Sequence, residues 1–337
     1  MPMRWLKAIC AGVLIAGLLP PAVLAEPVAL KLSFFAPDHI ETYRGGVKPF
    51  VDGIDREGKE LLRITLYPNG ALGSLAEQPQ ALVEGRADIA FLVPGQTPYR
   101  FPDNALLEMP GMFRSAREGT LAYTRLLAAG ALRGYEDFFV IGAYTTDPAI
   151  IHTRTPVGSL DALKGQKIRT NNPSEAESIE RLGGIATIMP VTMLADALAK
   201  GSVDGAIMAP TAAFQFGAAD VARNHYLLDI GSAPLILVMS RKKFDSLPEP
   251  AKALIRKYSG ERAAAAWVGV LEASDRRILQ KMRSDPTRTV VEPSPADREA
   301  AQHVFRSIVD SWVSKGVHNR ELLERLEMEL AMIRAAK

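Results

Sequence analysis

Arg169 is the side chain whose type and position most suggest chemistry. It ends the short strand-like run Lys167-Ile168-Arg169, and the turn Thr170-Asn171-Asn172-Pro173 follows, with a helix starting near Ser174. In open α/β sheets, ligands collect beyond the carboxyl ends of strands. Helix N–H groups beside such an arginine favour anions. Its planar fork can grip a carboxylate through two parallel hydrogen bonds. Asn171 belongs to the same candidate site. On the residues alone, a solvated surface arginine remains the competing reading. Further candidates sit on other loops. Gln96, Tyr99 and Arg100 lie in PGQTPYRFP, with Arg100 a possible second anion contact or a plain loop charge. His39 follows a strand in APDHIET, Tyr144 and Thr145 end another, and Phe214 offers a ring for stacking or for core packing.

Catalytic patterns are absent. The chain has no GxGxxG after a strand, no GxxxxGK[ST] and no GxSxG elbow. The five histidines, His39, His152, His225, His303 and His318, form no HExxH or HxxxH pair. Asp52-Gly53-Ile54-Asp55 lacks the spacing of a calcium loop. No metal, cofactor or catalytic set is expected, and a Ser-His-Asp site assembled from distant residues has nothing pointing to it.

The elements that must position these residues alternate between strand and helix. LKLSFFA (30–36), LLRITLY (61–67), ADIAFLV (87–93), FFVIGAY (138–144), QKIRT (166–170), ATIMP (186–190) and VDGAIM (203–208) read as strands. Helical patterns separate them over 41–58, 74–83, 174–183 and 192–200, the second opening with Ser74 and Glu77 as a capping box. Such alternation predicts an α/β fold with parallel strands and crossover helices. From Pro248 the pattern is helical to 283, a rod of roughly 50 Å that would brace two lobes. Two more helices, near 294–315 and 319–335, close the chain.

An internal echo supports two lobes. ALVEGRADIAFLVP (81–94) and ALAKGSVDGAIMAP (197–210) match at Ala, Leu, Gly, Asp, Ala and Pro with a constant offset. Each copy is a helix end, a glycine stop, a turn and a buried strand. The loops after them, 94–101 and 208–214, are therefore expected to face each other as walls of one cleft. The expected division is 26–147 plus about 235–280 for the first lobe, and 148–234 plus about 281–337 for the second.

Composition sets the outer bounds. The chain has 337 residues, 47% hydrophobic and 23% charged, which is ordinary globular material. Forty Lys and Arg against 38 Asp and Glu suggest no nucleic-acid partner. Residues 1–25 combine Arg4 and Lys7 with the apolar run AICAGVLIAGLL, and Val23 and Ala25 sit at the −3 and −1 positions of a signal-peptidase site. Cleavage after Ala25 would export the protein to the periplasm. It would also remove the one cysteine, Cys10, and leave 38 basic residues against 38 acidic ones.

Three segments carry a family resemblance: YPNGALGSLAEQPQALVEGRADIAFLVPG, SLDALKGQKIRT and GSVDGAIMAP, in that order. The chain resembles the extracytoplasmic solute receptors of tripartite ATP-independent periplasmic (TRAP) transporters. The resemblance implies a two-lobed, periplasmic-binding-protein-like fold of type II kind, with a long bracing helix and C-terminal helices. It also implies closure over a small organic carboxylate and delivery to an ion-driven membrane permease. In that family the arginine of the KiR motif holds the ligand carboxylate, which here is Arg169. Met208 stands where the family often has Asn, and Pro210 where dicarboxylate receptors often have Trp. These departures favour a monocarboxylate with an aliphatic or aromatic body over a C4-dicarboxylate or sialic acid. A ligand sensor for a signalling system and an exported enzyme are the other readings.

Overall fold

The computed structural model describes residues 26–336, so the leader and its cleavage site lie outside the described residues. Two mixed sheets form the two lobes. The first contains β1 (Val28–Ser33), β2 (Leu62–Tyr67), β3 (Ile89–Leu92), β4 (Phe138–Thr145) and β10 (Pro234–Ser240), in the order β2-β1-β3-β10-β4. The second contains β5 (Ala149–Thr153), β6 (Lys167–Thr170), β7 (Ile185–Ile188), β8 (Gly205–Met208), β9 (Asn224–Gly231) and β11 (Thr289–Val291), in the order β11-β9-β5-β8-β6-β7. The strands β2, β1 and β3 run parallel, as do β7, β6 and β8. The sheets are not wholly parallel, because β10 enters the first antiparallel to β3 and β5 enters the second antiparallel to β8. These are the strands carried across from the other lobe, and they arrive from the opposite direction.

The echoed segments fold alike. After α1 (Glu41–Gly46) and α2 (Lys48–Gly58), the helix α3 (Gln78–Val83) leads into β3; α4 (Ala116–Ala128) and α5 (Pro173–Arg181) precede the matching helix α6 (Leu194–Ala199), which leads into β8. Both helices stop at a glycine in the left-handed region, Gly85 (φ 73°) and Gly201 (φ 70°), where a side chain would be strained. Asp88 then accepts the Lys31 N–H through Oδ2 at 2.8 Å, and Asp204 accepts the Lys167 N–H in the same way at 2.8 Å. Each aspartate pins the start of its strand to the neighbouring strand. Repeated residue types thus perform a repeated task.

Local signals set several boundaries. Ser74 and Glu77 form the expected capping box. The helix expected over 41–58 is two helices, interrupted at Val47 just before Pro49, whose ring cannot continue the hydrogen-bond ladder. The 248–283 rod is likewise two helices, α10 (Glu249–Lys257) and α11 (Glu261–Ser284). Gly260 separates them with φ 63°, and its N–H donates to the Ile141 carbonyl of β4 at 2.8 Å instead of to the preceding turn. The remaining helices are α7 (Pro210–Gln215), α8 (Ala218–Val221), α9 (Arg241–Asp245), α12 (Pro295–Val313) and α13 (Val317–Ala335).

The bracing role belongs to α11. Trp267, Val268 and Leu271 near its start enter the first lobe's core, whereas Ile278 and Met282 near its end pack with Ile150 of β5. The Trp267 indole donates to the Thr145 carbonyl at 2.8 Å, directly where β4 passes to the second lobe. The chain crosses again between Gly231 and Pro234, and the Ala233 N–H donates to Thr146 Oγ1 at 3.0 Å, tying the two crossings together. Leu322, Leu326, Leu330 and Ile333 of α13, grouped above with the second lobe, share a cluster with Tyr123 and Leu126 of α4 in the first. No helix among the described residues is long and apolar enough to cross a membrane, and no cluster of three or more His, Cys, Asp or Glu there is arranged to hold a metal ion.

Candidate functional site

A cavity of about 70 Å³ opens between the lobes. Phe35 after β1, Val93 after β3, Thr42, Leu75 and Leu235 line it from the first lobe. Arg169 near the end of β6 and Asn171 just after it, Val191 after β7, Met208 at the end of β8 and Ala209 after it, and Phe216 line it from the second. Thr146, Ala149 and Ala233 at the crossings close its back. The wall is mostly apolar, with a small polar end around Arg169.

The fold locks that polar end in place. Asn172 caps α5, its Oδ1 accepting the Glu175 N–H at 2.8 Å, and Pro173 occupies the first turn where its missing N–H costs nothing. The β6–α5 corner is thereby fixed, and Arg169 is only 2% exposed. Its Nε donates to the Met189 carbonyl at 2.9 Å and its Nη2 to Asn171 Oδ1 at 3.1 Å. Two of the five guanidinium N–H groups are so engaged. The Nη1 edge has no hydrogen-bond acceptor among the described residues.

Asn171 is oriented from both lobes. Its Oδ1 accepts from Arg169 and also from Gln96 Nε2 at 3.1 Å, and Gln96 Nε2 donates as well to the Asn171 main-chain carbonyl. With its oxygen so used, the Asn171 Nδ2 donor is buried without a partner. Arg169 and Asn171 therefore each bring an unpartnered donor to the lining of one largely apolar cavity. Such a pair suits an anion with two acceptor oxygens.

Burial shapes the charges. The Arg169 guanidinium is held down to about 10 by desolvation, against the pull of Glu175, and stays cationic at neutral pH. Glu175 is pushed up to about 7 by burial, although Arg169 and the Asn171 N–H both favour its charged form.

The cavity wall also carries two rings. Phe35 and Phe216, one from each lobe, have centroids 6.4 Å apart and planes inclined by 10°. Beside them the Thr42 hydroxyl donates to Gln215 Oε1 at 3.0 Å, a second polar bond between the lobes.

Of the residues singled out from sequence, Arg169, Asn171 and Met208 line the cavity, and Gln96 reaches it through Asn171. The others lie elsewhere. Arg100 donates to Asp137 at 2.7 Å and lies over the Phe138 ring, so its charge is spent outside the cleft. Tyr99 is 85% exposed, and His39 is exposed ahead of α1. The Tyr144 hydroxyl donates to the Gly46 carbonyl at 2.8 Å inside the first lobe's core. Thr145 donates to the Ala116 carbonyl at 3.2 Å, and the cavity is met by the next residue, Thr146. Phe214 turns to the Lys281 and Arg288 side chains, 4.9 and 4.7 Å away, leaving Phe216 as the ring on the cavity. Phe35, Val191, Phe216 and Glu175 were not singled out. Phe35 and Val191 follow strand carboxyl ends, a signal that would have found them.

The family model for bacterial extracellular solute-binding proteins of family 7 (DctP) matches residues 36–315. A solved TRAP solute-binding protein from an unidentified marine microbe, specific for aromatic acids and holding 3-hydroxybenzoate, is 23% identical, with a TM-score of 0.82 over 91% of this chain and 99% of that one. A Rhodoferax ferrireducens TRAP solute-binding protein with copurified benzoate is 23% identical, with a TM-score of 0.81 over 92% and 100% of the two chains. A Bordetella bronchiseptica TRAP periplasmic solute-binding protein with (R)- and (S)-mandelate is 20% identical, with a TM-score of 0.80 over 91% and 100%.

Proposed function

This chain belongs to the bacterial extracellular solute-binding proteins of family 7, and on that premise we propose that it captures a small monocarboxylate with an aromatic body and hands it to a TRAP-type permease. The observation that carries the reading is the pairing of unfilled donors on Arg169 and Asn171 with an otherwise apolar cavity. The family is one of solute-binding proteins rather than enzymes, and capture needs no covalent chemistry. The ligand carboxylate takes the Nη1 edge of Arg169 and the Asn171 Nδ2. Its body lies among Phe35, Val93 and Leu235 of the first lobe and Val191, Met208 and Phe216 of the second. The polar end leaves no second cation for another carboxylate, because Arg100 is held by Asp137. The aromatic acids held by three proteins of the same fold support this class.

Closure follows from differential contact. A ligand touching both lobes binds the closed arrangement more tightly than the open one and shifts the population towards it. The lobe-to-lobe bonds Gln96–Asn171 and Thr42–Gln215 add to the closed state. Export through the leader at residues 1–25 belongs to the same proposal, with cleavage after Ala25.

A thermal-shift panel of benzoate, 3-hydroxybenzoate, mandelate, succinate, galacturonate and glucose tests the reading on refolded protein. A ligand at 100 times its Kd stabilises by about 2.7 kcal/mol, a readily seen shift. The aryl monocarboxylates should shift the transition most. A response confined to glucose would overturn the carboxylate reading, and one confined to succinate or galacturonate would overturn the aromatic one.

A further inference from the structure

Two buried carboxyl groups, one from each lobe, stand behind the polar end of the cavity. Glu175, in the first turn of α5, is 2% exposed and lines the cavity, and its Oε2 accepts the Asn171 N–H at 2.6 Å. Glu108, ending the short 3₁₀ segment Pro102–Glu108, is also 2% exposed, and its Oε1 has no hydrogen-bond partner. Gly95 lies tight against it: a Cβ there would fall 2.0 Å from that oxygen and 3.2 Å from Asn172 Cβ. The loop carrying Gln96 therefore wedges between the Glu108 carboxyl and the β6–α5 corner. Desolvation first, and the charge of Glu175 second, hold Glu108 well above the usual carboxylate range, so it is a neutral acid at neutral pH.

Charge balance at this spot constrains binding. Without ligand, the buried guanidinium of Arg169 faces one ionisable partner, Glu175. An arriving carboxylate puts a second anion on the same cation, beside a carboxyl that is only 2% exposed. Two buried anions on one cation are not both stable, and one of them takes a proton. The ligand sits on the free donors of Arg169 and Asn171, so the proton falls to Glu175. We infer that carboxylate capture is coupled to uptake of a proton by Glu175. This rests on the reading that Arg169 holds the ligand carboxylate.

The surroundings of Glu175 leave those groups in control. The helix α5 packs on β6, β7, β9, α12 and the segment bearing Glu108. β6 supplies Arg169 and the outward Lys167, and β7 has no ionisable side chain. On β9, His225 bonds His152 at 2.8 Å, and Asp229 is acted on by Arg298, Glu292 and Asp147. On α12, Asp297 accepts from Tyr226 and Arg298 donates to Glu292, and Glu299, His303, Arg306 and Asp310 are exposed. The groups on α5 itself, Glu177, Glu180 and Arg181, face outward or pair with one another.

Linkage gives the expected pH behaviour. Free Glu175 titrates near 7. Below that it already carries the proton, and affinity is flat. Above it, each ligand must draw a proton from solution, and Kd rises by up to tenfold per pH unit.

The test is calorimetric titration of the wild-type protein with benzoate, 3-hydroxybenzoate and mandelate at pH 6.0 and 8.5, each in two buffers of different ionisation enthalpy. At pH 8.5 binding should take up close to one proton per ligand and be at least tenfold weaker than at pH 6.0, where little uptake occurs. Glu175→Gln should abolish the uptake and make Kd independent of pH. Wild-type binding with no proton uptake and the same Kd at both pH values would overturn the inference while leaving the carboxylate reading standing. Unchanged uptake in Glu175→Gln would overturn it too. If that variant does not fold, the two wild-type measurements alone decide. No binding of any of the three acids at either pH overturns both.

Discussion

Replacing Phe216 by alanine removes one of two near-parallel rings that the lobes present to the cavity, 6.4 Å from its partner Phe35. A fully buried phenylalanine side chain contributes about 1.5–3 kcal/mol, and Phe216 is half-buried, so roughly half of that applies. An aromatic pair with a ligand ring adds about 0.5–1.5 kcal/mol beyond area. Together the loss is about 1.5–3 kcal/mol, which raises Kd roughly 10- to 150-fold for an aryl carboxylate. A short aliphatic acid such as propionate has no ring to set against Phe216. Its affinity should change by less than about threefold. The assay is calorimetric titration of both acids into wild type and Phe216→Ala at pH 6.5, with the melting transition as a check on folding. Equal weakening of both acids, or an unchanged Kd for 3-hydroxybenzoate, would refute the placement of an aromatic body at this wall.

Other expected outcomes follow from single contacts. Gln96→Ala deletes the bond that reaches Asn171 from the other lobe, and a net hydrogen bond of about 0.5–1.5 kcal/mol predicts Kd some 2- to 12-fold higher by the same titration. Trp267→Phe leaves the buried Thr145 carbonyl without its donor, which costs about 1–3 kcal/mol of stability, read by calorimetric unfolding. Burial holds His152 down to about 4 and His225 down to about 3, so both are neutral in the fold. The unfolded chain binds more protons on them between pH 6.5 and 4. Their contribution is therefore complete above pH 6.5 and is lost as pH falls through that window, at up to about 1.4 kcal/mol per unit each. Glu175 and Glu108, raised in the fold, act in the opposite sense there. The measurement is accordingly the difference between wild type and His225→Gln, whose stability gap should narrow as pH is lowered from 6.5 to 4.5.

Much of this architecture was legible in the chain because it is built from local, repeated devices. The apolar runs mark β1 to β4 and β6 to β8 but not β5, β9, β10 or β11, and the Gly85/Gly201 and Asp88/Asp204 echoes are one turn built twice. Arg169 was legible for a similar reason, since a strand, a capping asparagine and a proline-started helix fix where it points. What stayed hidden depends on distant partners. Nothing local tells Arg100 that Asp137 will take its charge. Phe214 on α7 and Phe216 just past its end lie two residues apart, and only the packing of Lys281 and Arg288 against Phe214 shows which ring meets the cavity. The run from Pro248 reads as unbroken helix because its residues are good helix formers. Gly260 breaks it at φ 63°, with its N–H turned to the Ile141 carbonyl of β4. The antiparallel entry of β5 and β10 is a consequence of the two-lobed topology, which no window of sequence contains.

The central claim is that Arg169 holds a carboxylate. Losing a buried, hydrogen-bonded charge partner costs about 2–5 kcal/mol of binding. Arg169→Ala should therefore raise the Kd for 3-hydroxybenzoate at least about thirtyfold in calorimetric titration at pH 6.5. Glu175, relieved of its cation, remains protonated at that pH, so the variant should still unfold cooperatively. A folded Arg169→Ala protein that binds the acid within threefold of wild type would contradict the account.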